Sequence, residues 1–319
     1  MHFPGRFSEN FVAGQLDRVS LSFLVDDLDV RRGGVAANIA FTLGVLGRRP
    51  ILVGAVGADF ADYRSWLERH GVDCSGVLTV ETAHTPRFTC TTDDEQCQIA
   101  SFYPGAMDRS ADIALQPIVH GRDVALVLVG ASMPEAMLAH TAQARALGIP
   151  FAADPSQQLP RLDADQCRDL VDGAAYLFTN EYELQLLLRK TGWAERDLTA
   201  RVGLRITTLG AGGSLIVDNA GHETRVAAVP PKAILDPTGV GDAFRAGFLV
   251  GLDSGLDSEA SAQFASLVAT AVLESTGAQE WTLEPDAGLA RLADAYGRPA
   301  AERIEPVLRE ALAAPAVLS

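Results

Sequence analysis

The sequence predicts an α/β fold, a mostly parallel, doubly wound sheet flanked by helices, with a small β lid. Three observations carry that expectation. From Pro50 onward, short apolar runs alternate with helix-period patterns, the signature of parallel βαβ units. The C-terminal third then reads as mostly helical, and two strand-like segments break the rhythm near the N-terminus and around residue 95. With 319 residues, 48% of them hydrophobic, the chain can bury a large core.

Taken in order, residues 15–25 alternate weakly, and Arg31-Arg-Gly-Gly-Val-Ala-Ala-Asn38 opens the first helical pattern, which runs to Gly47. Residues 51–56 read as a strand and 60–70 as a helix closed by Gly71. Residues 87–92 and 98–103 read as a hairpin across Asp93-Asp94-Glu95-Gln96. Strands follow at 125–129, 150–153, 175–178 and 204–208, interleaved with helices at 134–146, 163–171 and 181–190. Residues 214–219 and 223–229 form an antiparallel pair joined at Asn219-Ala220-Gly221. The lid is assigned to residues 5–30 and 85–106, and the main α/β domain to 31–84 and 107–319. A lid suits phosphoryl transfer, because excluding water keeps the phosphoryl group from hydrolysis.

A net charge of −15 repels nucleic acid and anionic membrane, which favours small ligands captured by local dipoles and arginines. No apolar run of membrane-spanning length occurs. The four cysteines form no Cys-x-x-Cys pair and the six histidines no ligand-like spacing, so a reducing cytoplasm without a structural metal is expected.

The run Asp236-Pro-Thr-Gly-Val-Gly-Asp-Ala-Phe-Arg-Ala-Gly-Phe248 carries the most chemistry. Gly239 and Gly241 let backbone N–H groups turn inward at a helix N-terminus, where the dipole adds positive character for an anion. Asp242 cannot itself bind phosphate, so its natural role is to take a proton from an attacking hydroxyl. A plain helix cap would need no paired glycines. A Walker-type loop is excluded, since the only lysines are Lys190 and Lys232 and neither follows a glycine. The dinucleotide fingerprint fails at Phe244, where its third glycine should stand.

Other polar groups gather at predicted strand ends. Asn38 falls one turn after Gly34, on the same face. Asn180 and Glu183 have capping-box spacing, and Glu183 could alternatively hold Mg²⁺ through water. Asp154-Pro-Ser-Gln157-Gln158 follows another strand, with Arg161 offering a fork for phosphate oxygens. Thr208 and Gly210 belong to a glycine turn that either admits a nucleotide or is a simple β-turn. Phe88 and Phe102 either cover a planar base or pack the lid's own core.

These segments resemble the ribokinase/PfkB family of carbohydrate and nucleoside kinases, with its three motifs in order over nearly the whole chain. Within the family the likeness is strongest to the actinobacterial type of adenosine kinase. That resemblance implies phosphorylation of the adenosine 5′-hydroxyl by ATP with Mg²⁺, in purine salvage, and leaves room for a monovalent cation and for a homodimer through the lid. It implies Asp242 as catalytic base, Gly239 and Gly241 as anion hole, and Asn180, Glu183, Arg161, Thr208, Gly210 and Thr238 around phosphates and ATP. Gly34 and Asn38 would hold the ribose, Phe88 and Phe102 would sandwich adenine, and Gln157 and Gln158 would line its side of the pocket. Other nucleosides or sugars, and a non-catalytic nucleoside-binding regulator, are the alternatives. One departure stands out. Such kinases open with a strand whose aspartate clamps two sugar hydroxyls, and Met1-His-Phe-Pro-Gly has no strand before it. The expectation is weak nucleoside affinity, unless Asp26, Asp27 or Asp29, most plausibly Asp27, serves the ribose.

Overall fold

The computed structural model describes residues 1–11, 21–95 and 97–313. Strand β1 (His2–Phe3) and the short helix α1 (Phe7–Asn10) come first, then helix α2 (Val35–Val45), strand β2 (Gly54–Gly57), helix α3 (Ala61–Arg69) and strand β3 (Val77–Val80). The hairpin β4 (Arg87–Asp93) and β5 (Gln98–Tyr103) is followed by α4 (Leu115–Val119), β6 (Val127–Val129), α5 (Pro134–Ala146), β7 (Phe151–Ala153) and α6 (Ala164–Val171). Next come β8 (Tyr176–Asn180), α7 (Glu181–Thr191), α8 (Glu195–Thr199), β9 (Leu204–Thr208), β10 (Ser214–Asp218) and β11 (Glu223–Val226). Helices α9 (Val240–Asp253), α10 (Ser258–Leu273), α11 (Pro285–Tyr296) and α12 (Arg298–Leu312) end the chain.

The main sheet has six strands in the order β11-β10-β9-β8-β7-β6, parallel from β6 to β9 and antiparallel at β10 and β11. Alternating apolar runs and helices therefore build the expected α/β architecture. Its apolar strands pack on α9 and α10 through Phe178, Ile206, Phe244 and Phe248. Close approach of α9 to α10 needs small residues: a Cβ on Gly247 would stand 2.9 Å from Ala265 Cα, and one on Gly251 2.8 Å from Ser261 Cα. The spacing of those glycines along one helix face accounts for their presence.

Where the lid is expected stands a second sheet, β1-β4-β5, with Phe88 directly opposite Phe102. Its third strand differs from the expectation. Residues 15–20 of the weakly alternating segment lie outside the described residues, residues 21–25 form no strand, and His2–Phe3 pairs in parallel with Thr92–Asp93 instead. Stacking among Phe3, Phe7 and Phe23 seats this N-terminal turn, with ring centroids 4.9 to 5.5 Å apart. The Asp93 carboxylate accepts the Phe7, Glu95 and Cys97 amides, which closes the hairpin.

Strands β2 and β3 pair only with each other, and β6 pairs only with β7. The outer edges of β2 and β6 thus carry no strand partner among the described residues. Ala55 of β2 and Leu128 of β6, with Val53 and Leu126 just before those strands, line one cavity of about 1680 Å³.

Candidate active site

Helix α9 begins at Gly239, whose φ of 80° is left-handed and whose Cβ would stand 2.4 Å from that of Ala278. Only glycine meets both conditions. The first-turn amides of Gly241 and Asp242 have no backbone acceptor among the described residues, so they point out of the helix as free donors at its positive end. The turn before it is fixed by Asp236, whose carboxylate accepts the amides of Thr238 at 2.9 Å and Gly277 at 3.0 Å.

Asp242 sits in this first turn and accepts a 2.8 Å hydrogen bond from the Asn38 side-chain amide. Helix α2, capped by Gly34 at φ 105°, lies against α9 and brings Asn38 there. Asn38 is itself held: its Oδ1 accepts from Gln279 Nε2 at 2.9 Å, and the same Nε2 donates to the Tyr63 hydroxyl. Tyr63 in turn donates to the Gly33 carbonyl, and Trp66 Nε1 donates to Gln279 Oε1. Asn38 therefore has both amide atoms engaged, with one N–H left for a ligand. Burial pushes the Asp242 carboxyl up to about 6, against the opposing pull of the Asn38 hydrogen bond and the Arg245 charge. Such a value suits a base working near neutral pH.

The ends of strands β7, β8 and β9 carry further predicted polar residues, and Asp154, Asn180, Glu183, Thr208 and Gly210 are not among the residues lining the large cavity. Asn180 lies across from Thr208 in register. The Asn180 side chain accepts the Glu183 amide and Glu183 Oε2 accepts the Asn180 amide, both at 2.8 Å, so the capping box expected from spacing is formed. Glu183 Oε1 has no hydrogen-bond partner among the described residues, and burial raises this carboxyl above its ordinary value. Asp154, fully buried after β7, pairs with Arg245 of α9 at 2.6 Å. Gly210 has φ 57° with open space where a Cβ would project.

Gly34, Asn38, Phe88, Phe102 and Thr238 all line the large cavity. The two phenylalanines are exposed, at 69% and 52%, so they are not the lid's own buried core. Gln157, Gln158 and Arg161 are not among the residues lining that cavity. They form a separate turn in which Gln157 and Arg161 are exposed, while Gln158 is buried and 3.4 Å from the Arg161 guanidinium. Of the three aspartates weighed for the ribose, Asp29 lines the cavity, bonded to Arg31, whereas Asp26 is bonded to His2 and Asp27 is not among the lining residues. Sequence reasoning missed Gln279, Tyr63 and the role of Arg245. Arg245 carried a signal, the one basic residue of α9, set between apolar neighbours Phe244 and Ala246.

Among the described residues, no three His, Cys, Asp or Glu side chains cluster as a metal cage, and no helix is long and apolar enough to cross a membrane. All four cysteines are free thiols.

The pfkB family carbohydrate kinase model matches residues 6–285. The chain belongs to this family. It is 34% identical over 259 residues to a nucleoside kinase of Methanothermobacter thermautotrophicus, which covers 80% of this chain and 82% of that protein. It is 26% identical over 262 residues to a cytidine kinase of Thermococcus kodakarensis, covering 79% and 90%. The structure of Burkholderia thailandensis nucleoside kinase in complex with inosine superposes with a TM-score of 0.82 at 33% identity, covering 93% of each chain. The architecture is the ribokinase-like α/β fold, and the chain is a phosphotransferase of the alcohol-acceptor type.

Proposed function

We propose that this chain is a nucleoside kinase that transfers the γ-phosphoryl group of ATP to the 5′-hydroxyl of adenosine. The observation that carries the reading is Asp242, oriented by Asn38 at the N-terminus of α9 beside a cavity bearing two exposed, paired phenylalanines. A sugar alone would gain little from two aromatic faces, whereas a base stacks on them. The relatives named for nucleosides and the inosine complex support that substrate class.

In this mechanism Asp242 accepts the proton of the 5′-hydroxyl as its oxygen attacks the γ-phosphorus, and the leaving group departs as ADP. The Gly241 and Asp242 amides stabilise charge building on the transferring group. Gly34 and the remaining Asn38 N–H meet the ribose, while Asn180, Thr208, Gly210 and Thr238 border the nucleotide and Arg161 lies on that side. Glu183, with one carboxylate oxygen unengaged and no second carboxylate cage, fits a cation held through water, and Mg²⁺ there would neutralise phosphate charge. The exposed edge strand β5 offers a surface for a second copy, and the free thiols suit the cytoplasm.

The deciding experiment is an ADP-release assay with ATP across adenosine, inosine, guanosine, cytidine and ribose. Adenosine is expected to give the highest kcat/KM. A higher value for another acceptor would overturn the adenosine assignment, and no release with any would favour a binding regulator.

A further inference from the structure

Asp154 and Arg245 form a buried ion pair that the phosphoryl-transfer scheme leaves without a task. Arg245 lies one turn after Asp242 on the same face of α9 and crosses to the carboxyl end of β7, where its Nη2 donates to Asp154 Oδ1 at 2.6 Å. Asp154 is 0% exposed and Arg245 7%. Arg245 Nε and Asp154 Oδ2 have no partner among the described residues, so the pair is incompletely satisfied where desolvation is most costly. Replacing a buried ion pair by apolar residues is often neutral or stabilising, so fold stability alone gives little reason for it. Its position gives a better one. The guanidinium fills the space that a side chain at position 241 would occupy, with Nη1 2.7 Å from where a Gly241 Cβ would stand. A positive charge therefore underlies the turn that holds the free amides and Asp242.

We propose that Arg245, clamped by Asp154, is the positioning residue of the catalytic base: its charge keeps Asp242 anionic for the acceptor hydroxyl, and Asp154 limits that effect by partly neutralising it. This rests on Asp242 acting as the base. The charged and titratable groups facing Asp242 are Arg245 on its own helix, Asp154 after β7 and Tyr63 from α3, with Glu183 of α7 beyond Arg245. The two members act on Asp242 in opposite senses, because removing the cation favours the neutral carboxyl and removing the anion favours the charged one.

The test is the acid limb of the kcat/KM profile with adenosine for Arg245→Gln, Asp154→Asn, the double variant and Arg245→Lys, with melting temperatures beside it. Arg245→Gln should move the limb up by about one pH unit or more and Asp154→Asn should move it down. The double variant should return towards the wild-type limb, and Arg245→Lys should restore it. Lower melting temperatures with an unmoved limb, or shifts in the same direction for both single variants, would overturn the proposal. If either single variant does not fold, the double variant and Arg245→Lys decide it: a wild-type limb in the neutral pair supports compensation, and a limb displaced in Arg245→Lys refutes it. Near wild-type turnover in Asp242→Asn would instead overturn the underlying reading of the base, a distinguishable result.

Discussion

Asn38 donates to Asp242 at 2.8 Å across 204 positions of sequence, which joins the first helix of the main domain to the helix that carries the proposed catalytic base. The bond uses one amide hydrogen and aims the carboxylate. It also lowers the cost of ionising Asp242, in opposition to burial.

Asp242→Asn should lower kcat by about 10²–10⁴ and leave nucleoside KM little changed, since shape is kept and basicity lost. Steady-state kinetics with purified protein checks this. Near wild-type turnover would return Asp242 to the status of a helix-cap residue.

The same substitution should stabilise the protein at alkaline pH. The carboxyl rises from 3.8 to about 6 on folding. Below 3.8 both states are protonated. Between these values the native state keeps a proton that the unfolded chain has released, so stability falls as pH rises. Above about 6 the native state bears the whole cost of the buried charge, at most about 3 kcal/mol. Urea denaturation at pH 8 should find Asp242→Asn more stable than wild type, with the gap closing at pH 4.

Phe88→Ala or Phe102→Ala should each weaken adenosine binding by roughly 1–3 kcal/mol, the range for base stacking on aromatic rings, with a smaller effect on ATP. Calorimetric titration of both ligands separates the outcomes. Equal losses for the two would assign the rings to lid architecture.

Gln279→Leu should be more damaging than its distance from the chemistry suggests. It leaves Asn38 Oδ1, the Tyr63 hydroxyl and Trp66 Nε1 without the partner that serves all three. Stability should fall by about 1–3 kcal/mol, and kcat should fall more than KM rises. An unchanged kcat in the folded variant would separate this network from the base.

The βαβ rhythm was legible because parallel strands read as apolar runs and their helices as a 3.6 period. Gly239, Gly241 and Asp242 were legible because two glycines at a helix start have few other physical uses. Gln279 was not, since a buried glutamine in the middle of the connection between α10 and α11 carries no periodicity and gains meaning only from Asn38, Tyr63 and Trp66 around it. Arg245 was visible as an oddity, but its partner Asp154 lies 91 positions away. The His2–Phe3 pairing was not legible for a different reason: two residues are too few to display an alternation.

The unpaired edges of β2 and β6 have a consequence for how the molecule comes apart. No backbone hydrogen bond joins those strands among the described residues, so the β2–β3 half and the six-stranded half share apolar contacts and helices α2 and α9 rather than a continuous ladder. Cooperative opening follows lines where few hydrogen bonds must break together. Amide exchange should therefore divide the chain into two protection classes along that line. A ligand filling the space between the edges would merge them, because each half would then have to release the same molecule before it could open.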